Sequence, residues 1–266
     1  MDSMSEIKVH EHGFVKLLDT MGSDESIENC ARISYGEGTR KTSETRNLIR
    51  YLVRHRHTSP IEHGEVQFHL KLPIFVMRQL VRHRTASINE YSGRYSVMSD
   101  DFYVPSADYL RKQSKENKQG RDEIHDSPGL LQFEFNRTND GAHVAYENLL
   151  REDLSREVAR CLLPVSNYTE VVWKSDLHNF LHMVNLRTDS HAQQEIQDYA
   201  NVMYDLVKPK FPLVCEAWED YVRDAVSFSK EEMKIIKGQL NGSWTMDDVG
   251  RNLSKREQKE FLEKLK

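Results

Sequence analysis

No run of apolar residues in these 266 positions is long enough to cross a bilayer. The longest stretch without Asp, Glu, Lys or Arg is about ten residues, 177–186, half of the ~20 that a spanning helix needs. Glycine (12) and proline (7) are scarce and aromatics make up 9%, which argues against disorder and against a turn-rich all-β fold. The three cysteines, Cys30, Cys161 and Cys215, stand far apart with no C-x-x-C pair, so neither a disulfide framework nor a cysteine zinc site is readable. Met1 to His10 is charged and lacks the apolar run of a secretory signal, so a reducing cytoplasm is the expected setting. Apolar residues are also few, 38% against 30% charged. A chain of this length fits one large domain or two modest ones. Either its core is small, or polar side chains are kept inside for a purpose.

What is there begins as a mixture of strand and helix patterns. Phe14 to Leu18 reads as a short strand, Ser23 as the cap of a helix reaching Ile33, and Ser43 as the cap of another carrying Leu48, Ile49, Leu52 and Val53 on one face. Val66 to Leu72 alternates apolar with polar residues, the pattern of a half-buried strand, and Pro73 then opens a helix over Ile74 to Arg82. Arg111 to Gly129 is charge-dense and reads as an exposed loop. Helices are expected over Leu130–Leu150, Ser155–Leu163, Asp176–Leu186 and Ser190–Val207, with a short strand at Val171–Trp173. Ser229…Glu232 and Ser254…Glu257 are capping-box patterns that each open a charged helix. The fold class expected is α+β: one mixed domain over 1–228 with a small sheet and a mostly helical C-terminal portion, then a charged helical extension, 229–266.

The string Leu-Val-Arg-His-Arg occurs at 52–56 and again at 80–84, but nothing around the copies matches, so it marks no structural repeat. The second copy opens a basic island. Between Arg78 and Tyr95 lie Arg78, Arg82, Arg84 and Arg94 against one acid, Glu90, in a chain whose total charge is −5. Gln79, Ser87, Asn89, Ser92 and Gly93 fill the gaps. Guanidinium forks match phosphate oxygens, and hydroxyl, amide and backbone N–H donors near a glycine complete such a cradle. A solvated basic face is the plain reading of an arbitrary arginine cluster; this one follows an apolar helix and holds no lysine, which favours the wall of a pocket.

Arg82-His83-Arg84-Thr85-Ala86-Ser87-Ile88-Asn89-Glu90-Tyr91-Ser92-Gly93-Arg94-Tyr95 matches R-H-R-x-x-S-x-N-E-x-S-x-R-Y at every fixed position. In this it resembles the flavin-dependent thymidylate synthases. His57 to His63, Arg156 to Arg160 and Asn185 to Gln193 are similar to the family as well, and the resemblance runs from about Gly13 to Tyr221. It implies a reductive methylation of dUMP to dTMP, with methylenetetrahydrofolate as carbon donor and tightly bound FAD, reduced by NADPH, as hydride source. It also implies a homotetramer with shared active sites; the acidic total charge and the short apolar runs, for their part, lead us to expect no nucleic-acid and no membrane partner. Carried over by position, Ser59, Arg82, His83, Arg84 and Glu90 line the FAD site, joined by Asp176, His178 and His182. Gln79, Arg82, Glu90, Ser92, Gly93, Arg94, Arg160 and Arg187 hold dUMP. Arg187 looks like the family's activating arginine, stabilising negative charge on the uracil ring as carbon 5 becomes nucleophilic.

Other chemistries are weighed against this one. Ser92 has no general base beside it, so hydrogen bonding to the nucleotide suits it better than nucleophilic attack. A thiolate mechanism is disfavoured, since no cysteine lies in the motif and Cys161 reads as packed core. His178 and His182 are four apart on a helix with Asp176 close by, but the H-E-x-x-H pattern is missing and no metal is expected. His57 and His63 flank either a structural turn at Ser59-Pro60 or a ligand contact. A nucleic-acid-binding protein built on the arginine island, and a metal-dependent phosphohydrolase built on the twelve histidines, are the competing functions.

Overall fold

The computed structural model describes residues 6–34, 44–115, 120–242 and 253–265. The cap expected at Ser43 lies outside them. The chain divides into two compact units, Met1–Trp218 and Glu219–Lys266.

The first unit is organised by an antiparallel sheet of five strands: β1 (Ile7–Val9), β2 (Gly13–Met21), β3 (Glu65–Pro73), β4 (Ser87–Glu90) and β7 (Tyr168–Asp176), in the order β1-β2-β3-β7-β4. Strand β3 shows why the sheet forms. Val66, Phe68, Leu70 and Leu72 alternate along it and are fully buried on one face. On that face Phe68 meets Trp173 of β7 and stacks on Phe180, ring centres 5.7 Å apart. The opposite face is polar and laced by diagonal cross-strand pairs, His69 with Glu170 at 2.9 Å and Lys174 with Glu65 at 2.9 Å.

Around the sheet lie α1 (Asp24–Arg32), α2 (Thr45–Arg54), α3 (Ile74–Leu80), α4 (Pro128–Arg151), α5 (Arg156–Ala159), α6 (Leu177–Arg187), α7 (Gln194–Val207) and α8 (Pro212–Trp218). Ser23 caps α1 as expected, its hydroxyl accepting from Ser26 N. Two of these helices grow from strands with no intervening loop. Pro73 ends β3 and Ile74 starts α3, whose first free N–H groups bond to the carbonyls of Asn167 and Val165 at 2.9 and 3.0 Å. Likewise Asp176 ends β7 and caps α6, its carboxylate accepting from the backbone N–H of Asn179 at 2.9 Å. Because β3 and β7 are antiparallel, pairing Glu65 with Asp176 and Pro73 with Tyr168, the two helices start from opposite ends of one ladder.

Several expectations need correction. The stretch 111–129 is not a plain loop: β5 (Arg111–Gln113) and β6 (Arg121–Ile124) pair antiparallel. Its sequence is polar on both faces, so it lacks the alternation that marks a half-buried strand. β4 is likewise exposed along its length and carries no such pattern. The helix expected over Ser155–Leu163 is only the four residues of α5, followed by a tight turn at Arg160–Leu162. There Cys161 is exposed rather than packed in the core, because the turn aims its thiol outward toward the carbonyl of Glu157 at 3.8 Å. The helix expected from Ser190 begins at Gln194, and the strand at Val171–Trp173 extends to nine residues.

In the second unit α9 (Lys230–Leu240) and the helix Lys255–Lys264 are each opened by the expected capping box, at Ser229 and Ser254. Ile235, Leu253 and Phe261 form its core, and Lys264 bonds to Glu232 at 2.8 Å. The α+β class holds for the molecule. Among the described residues no helix is long and apolar enough to cross a membrane.

Candidate active site

The helices α3 and α6 end in contact. Val81 closes α3 and is followed by Arg82 and His83, and α6 closes at Arg187. Arg187 Nε donates to His83 Nε2 at 2.9 Å. An acceptor at Nε2 places the proton of the neutral ring on Nδ1. Burial, with the charge of Arg187 and then the proximity of His182, pushes the His83 imidazole down to about 4, so at neutral pH it is the uncharged acceptor this bond requires. Burial and the neighbouring Arg82 also lower Arg187 from its ordinary value. Among the described residues no carboxylate bonds to Arg82, His83 or Arg187. The negative ends of two helix dipoles point at this cluster and help it tolerate the like charges.

His182, five residues before Arg187 on α6, is exposed, with its ring centre 6.2 Å from that of His83. His178 lies a turn earlier and is half-buried. Asp176 is occupied as the α6 cap, bonding both the backbone and the side-chain nitrogen of Asn179. Among the described residues no three His, Cys, Asp or Glu side chains come together as a metal site. Ser59 is exposed in the turn after α2. Gln79, near the end of α3, donates to the Gln193 side chain at 2.7 Å.

The rest of the motif forms a second group. Glu90, at the end of β4, accepts from Thr169 Oγ1 at 2.9 Å, and Tyr91 N bonds to the Glu170 carbonyl. Arg84 is exposed ahead of the strand. Gly93 is buried where a Cβ would come 2.8 Å from Met98 Sδ and 3.2 Å from the Arg160 side chain, so the backbone and Arg160 pass closely only because the residue is glycine. Arg94 pairs with Glu157 at 3.3 Å, and its N–H bonds to Ser92 Oγ at 3.4 Å; among the described residues no base bonds to that hydroxyl. Among the described residues no hydrogen bond or ion pair joins Arg94 or Arg160 to Gln79, His83 or Arg187.

Sequence reasoning missed the far wall of the first group. A cleft of about 490 Å³ beside Gln79 and Arg187 is closed by Arg111, Lys112 and Arg121 from the β5–β6 ladder and by His191 to Gln193 ahead of α7. Only the closeness of Asn185–Gln193 to Arg187 in the chain pointed there; nothing marked the ladder.

This geometry, a carboxylate-free arginine pair beside a neutral imidazole, offers fixed positive charge to an anionic or polarisable ligand. Residues 16–213 match the family model described as thymidylate synthase complementing protein. A protein of Dictyostelium discoideum named flavin-dependent thymidylate synthase is 45% identical over 98% of this chain and 86% of its own length. One of the same name from Treponema denticola is 45% identical over 98% of this chain and 97% of its own. The chain belongs to the flavin-dependent thymidylate synthase family. Membership makes it an enzyme and sets aside the nucleic-acid-binding and phosphohydrolase readings. Among solved structures, a UMP/dUMP methylase from Streptomyces cacaoi bound with 5-Br dUMP is similar, with a TM-score of 0.74 and 33% identity, over 82% of this chain and 99% of that one. The same methylase bound with 5-Br UMP matches with a TM-score of 0.73 and 34% identity.

Proposed function

We propose that this member of the family methylates carbon 5 of dUMP to give dTMP, with methylenetetrahydrofolate, FAD and NADPH as its partners. The observation that carries this is the Arg187–His83 bond beside Arg82. Neutral His83 takes the Nε–H of Arg187 and fixes the guanidinium plane, and among the described residues neither Nη nitrogen has a hydrogen-bond partner. Those groups are free to meet a uracil ring and stabilise the charge that grows on it as carbon 5 turns nucleophilic. Burial strengthens that effect, and arginine keeps its proton despite the lowered affinity.

The donor set fits FAD and a nucleotide: exposed Arg82 and Arg84 provide forks for phosphate, with His83 beside them. FAD, when bound, supplies the hydride that completes the methyl group. Ser59, Arg82, His83, Arg84 and Glu90 would hold it, with His178 and His182 at the edge. Asp176 is a weaker contact, since α6 already uses its carboxylate. Gln79, Ser92, Gly93, Arg94, Arg160 and Arg187 would hold dUMP, Ser92 as a hydrogen-bonding group.

The separation of these residues into two groups within one chain supports a homotetramer in which neighbouring subunits complete each site. The match at 16–213 supports assigning the synthase fold to 1–228 and treating 229–266 as an extension. The free cysteines Cys30, Cys161 and Cys215 suit a reducing cytoplasm. The purified protein should be yellow, absorbing near ~450 nm as oxidised flavoproteins do, and should form dTMP while oxidising NADPH in the presence of dUMP. Colourless protein that takes up no FAD and makes no dTMP defeats the proposal. Mass in solution, with and without FAD, tests the assembly.

A further inference from the structure

The cleft beside Arg187 extends past the groups assigned to FAD and dUMP. Its lining includes Arg111, Lys112, Arg121 and Arg187 and no carboxylate among the described residues. The four cations are not equivalent. Lys112 is neutralised from outside the cleft by Asp126 at 3.0 Å and Glu123 at 3.7 Å. Arg121 is neutralised by Glu195, which is buried behind it. Among the described residues Arg111 bonds only to backbone carbonyls, Nε to Asp108 at 2.8 Å and Nη1 to Asp122 at 3.3 Å. These bonds fix the guanidinium, and among the described residues no carboxylate neutralises its charge.

The cleft is also bounded by Ala192 and Gln193, the residues that lead into the 14-residue helix α7. Gln193 does not cap that helix with its side chain, which is turned to Gln79. The positive end of the helix dipole therefore adds to the field of Arg111 and Arg187. A cavity with two guanidiniums that no described carboxylate compensates, one at the reaction centre and one on the ladder, is built for an extended ligand with its reactive part at the first and a negative group at the second.

We propose that the β5–β6 ladder forms an anion subsite, with Arg111 as its principal charge, that holds the negatively charged end of a co-substrate whose reacting end lies at Arg187. This rests on the synthase reading above. Two co-substrates carry such a group: the carboxylates of a glutamyl tail on methylenetetrahydrofolate, and the 2′-phosphate that distinguishes NADPH from NADH. In either case carboxylate or phosphate oxygens take up the free N–H groups of Arg111.

The test is steady-state kinetics of the FAD-loaded protein on two substrate pairs: mono- against triglutamylated methylenetetrahydrofolate, and NADPH against NADH. The wild type should show a lower KM for the more charged member of one pair, and that preference should shrink as salt is raised. Arg111→Gln should raise the KM for that member about tenfold, the cost of one charge-assisted hydrogen bond, and erase the preference, while Arg111→Lys should keep most of it. Loss of the triglutamate preference assigns the subsite to the folate, and loss of the NADPH preference assigns it to the nicotinamide nucleotide. A wild type without either preference overturns the proposal. So does an Arg111→Gln variant that keeps its preference, or one in which only the KM for dUMP rises. If Arg111→Gln does not fold, a wild-type preference insensitive to salt overturns it equally. Wild-type dTMP formation with monoglutamate and NADPH is the separate check on the synthase reading, so the two failures are distinguishable.

Discussion

Arg121 and Arg187 line the same cleft, and the protein treats them in opposite ways. Arg121 is answered within the chain: its Nη2 bonds both oxygens of Glu195, at 2.9 and 2.6 Å, and Tyr103 donates to the same carboxylate at 2.9 Å. Burial alone would push the Glu195 carboxyl up, yet Arg121 and Tyr103 hold it below the usual range. Arg187 is given a neutral imidazole and a second arginine instead. The first arrangement is closed and serves stability. The second stays electrostatically open, and only a ligand can close it. Positive charge in this cleft is thus divided between holding the fold and waiting for substrate.

Breaking the closed pair should have the largest effect. Arg121→Met leaves Glu195 buried without its cation and should cost about 3–5 kcal/mol of stability, read by denaturant unfolding at neutral pH. The loss should shrink in acid. Wild-type Glu195, depressed, contributes stability that is present above the ordinary carboxyl value and is lost as pH falls through the folded one; in the variant burial dominates, the carboxyl rises, and protonation relieves the penalty. Arg187→Ala should instead leave unfolding and FAD retention nearly unchanged while lowering dTMP formation ~10²–10³-fold, as expected for lost transition-state charge stabilisation. A large stability loss there, with turnover intact, would reverse the comparison.

His83 sharpens it. Arg187 loses its positioning acceptor in His83→Ala, which should slow turnover about tenfold, whereas His83→Gln can present Oε1 and should stay within about threefold. The same Gln variant tests the sign of the imidazole shift. A His lowered from 6.5 to about 4 binds fewer protons in the native than in the unfolded state, so it costs stability as pH falls from 6.5 toward 4. The variant should lose less stability than wild type over that window, and an identical pH profile would mean that His83 is not depressed. The smallest effect belongs to Cys161→Ala: the thiol is exposed and makes one weak bond, so stability should change by no more than about 0.5 kcal/mol with activity retained. Inactivity of that folded variant would reopen thiol chemistry.

The parts of this molecule legible in its sequence are those where burial writes a period. Val66 to Leu72 announces β3 because one face is core and the other is solvent-facing, and the capping boxes at Ser229 and Ser254 are local hydrogen-bond patterns that need no tertiary context. Only the middle of β7 was readable, since its ends carry Thr169, Lys174 and Asp176, chosen for cross-strand bonds and a helix cap rather than for burial. The β5–β6 ladder was invisible because neither face is apolar. For the site, the motif named Arg82 to Arg94 as one unit, whereas folding sends His83 to Arg187 and Arg94 to Glu157. Arg111 carries no local mark, since its importance comes from chain segments that meet only after folding. Cys161 departs from the expected core position for a related reason: an apolar neighbourhood in sequence says nothing about which way a tight turn aims a side chain.

The loop-free junctions at Pro73 and Asp176 turn residue number into a length standard. Nine paired residues of β3 and β7 measure roughly 30 Å at ~3.4 Å each. The seven residues of α3 and the eleven of α6, at about 1.5 Å each, add up to ~27 Å. Starting at the two ends of the ladder, the helices work as the jaws of a caliper whose opening, the gap between His83 and Arg187, is set by counting. One residue inserted into α6 would advance Arg187 by ~1.5 Å and swing it through about 100°, which no loop is present to absorb. Insertions and deletions in this scaffold are therefore intolerable between Pro73 and Leu80 or between Asp176 and Arg187.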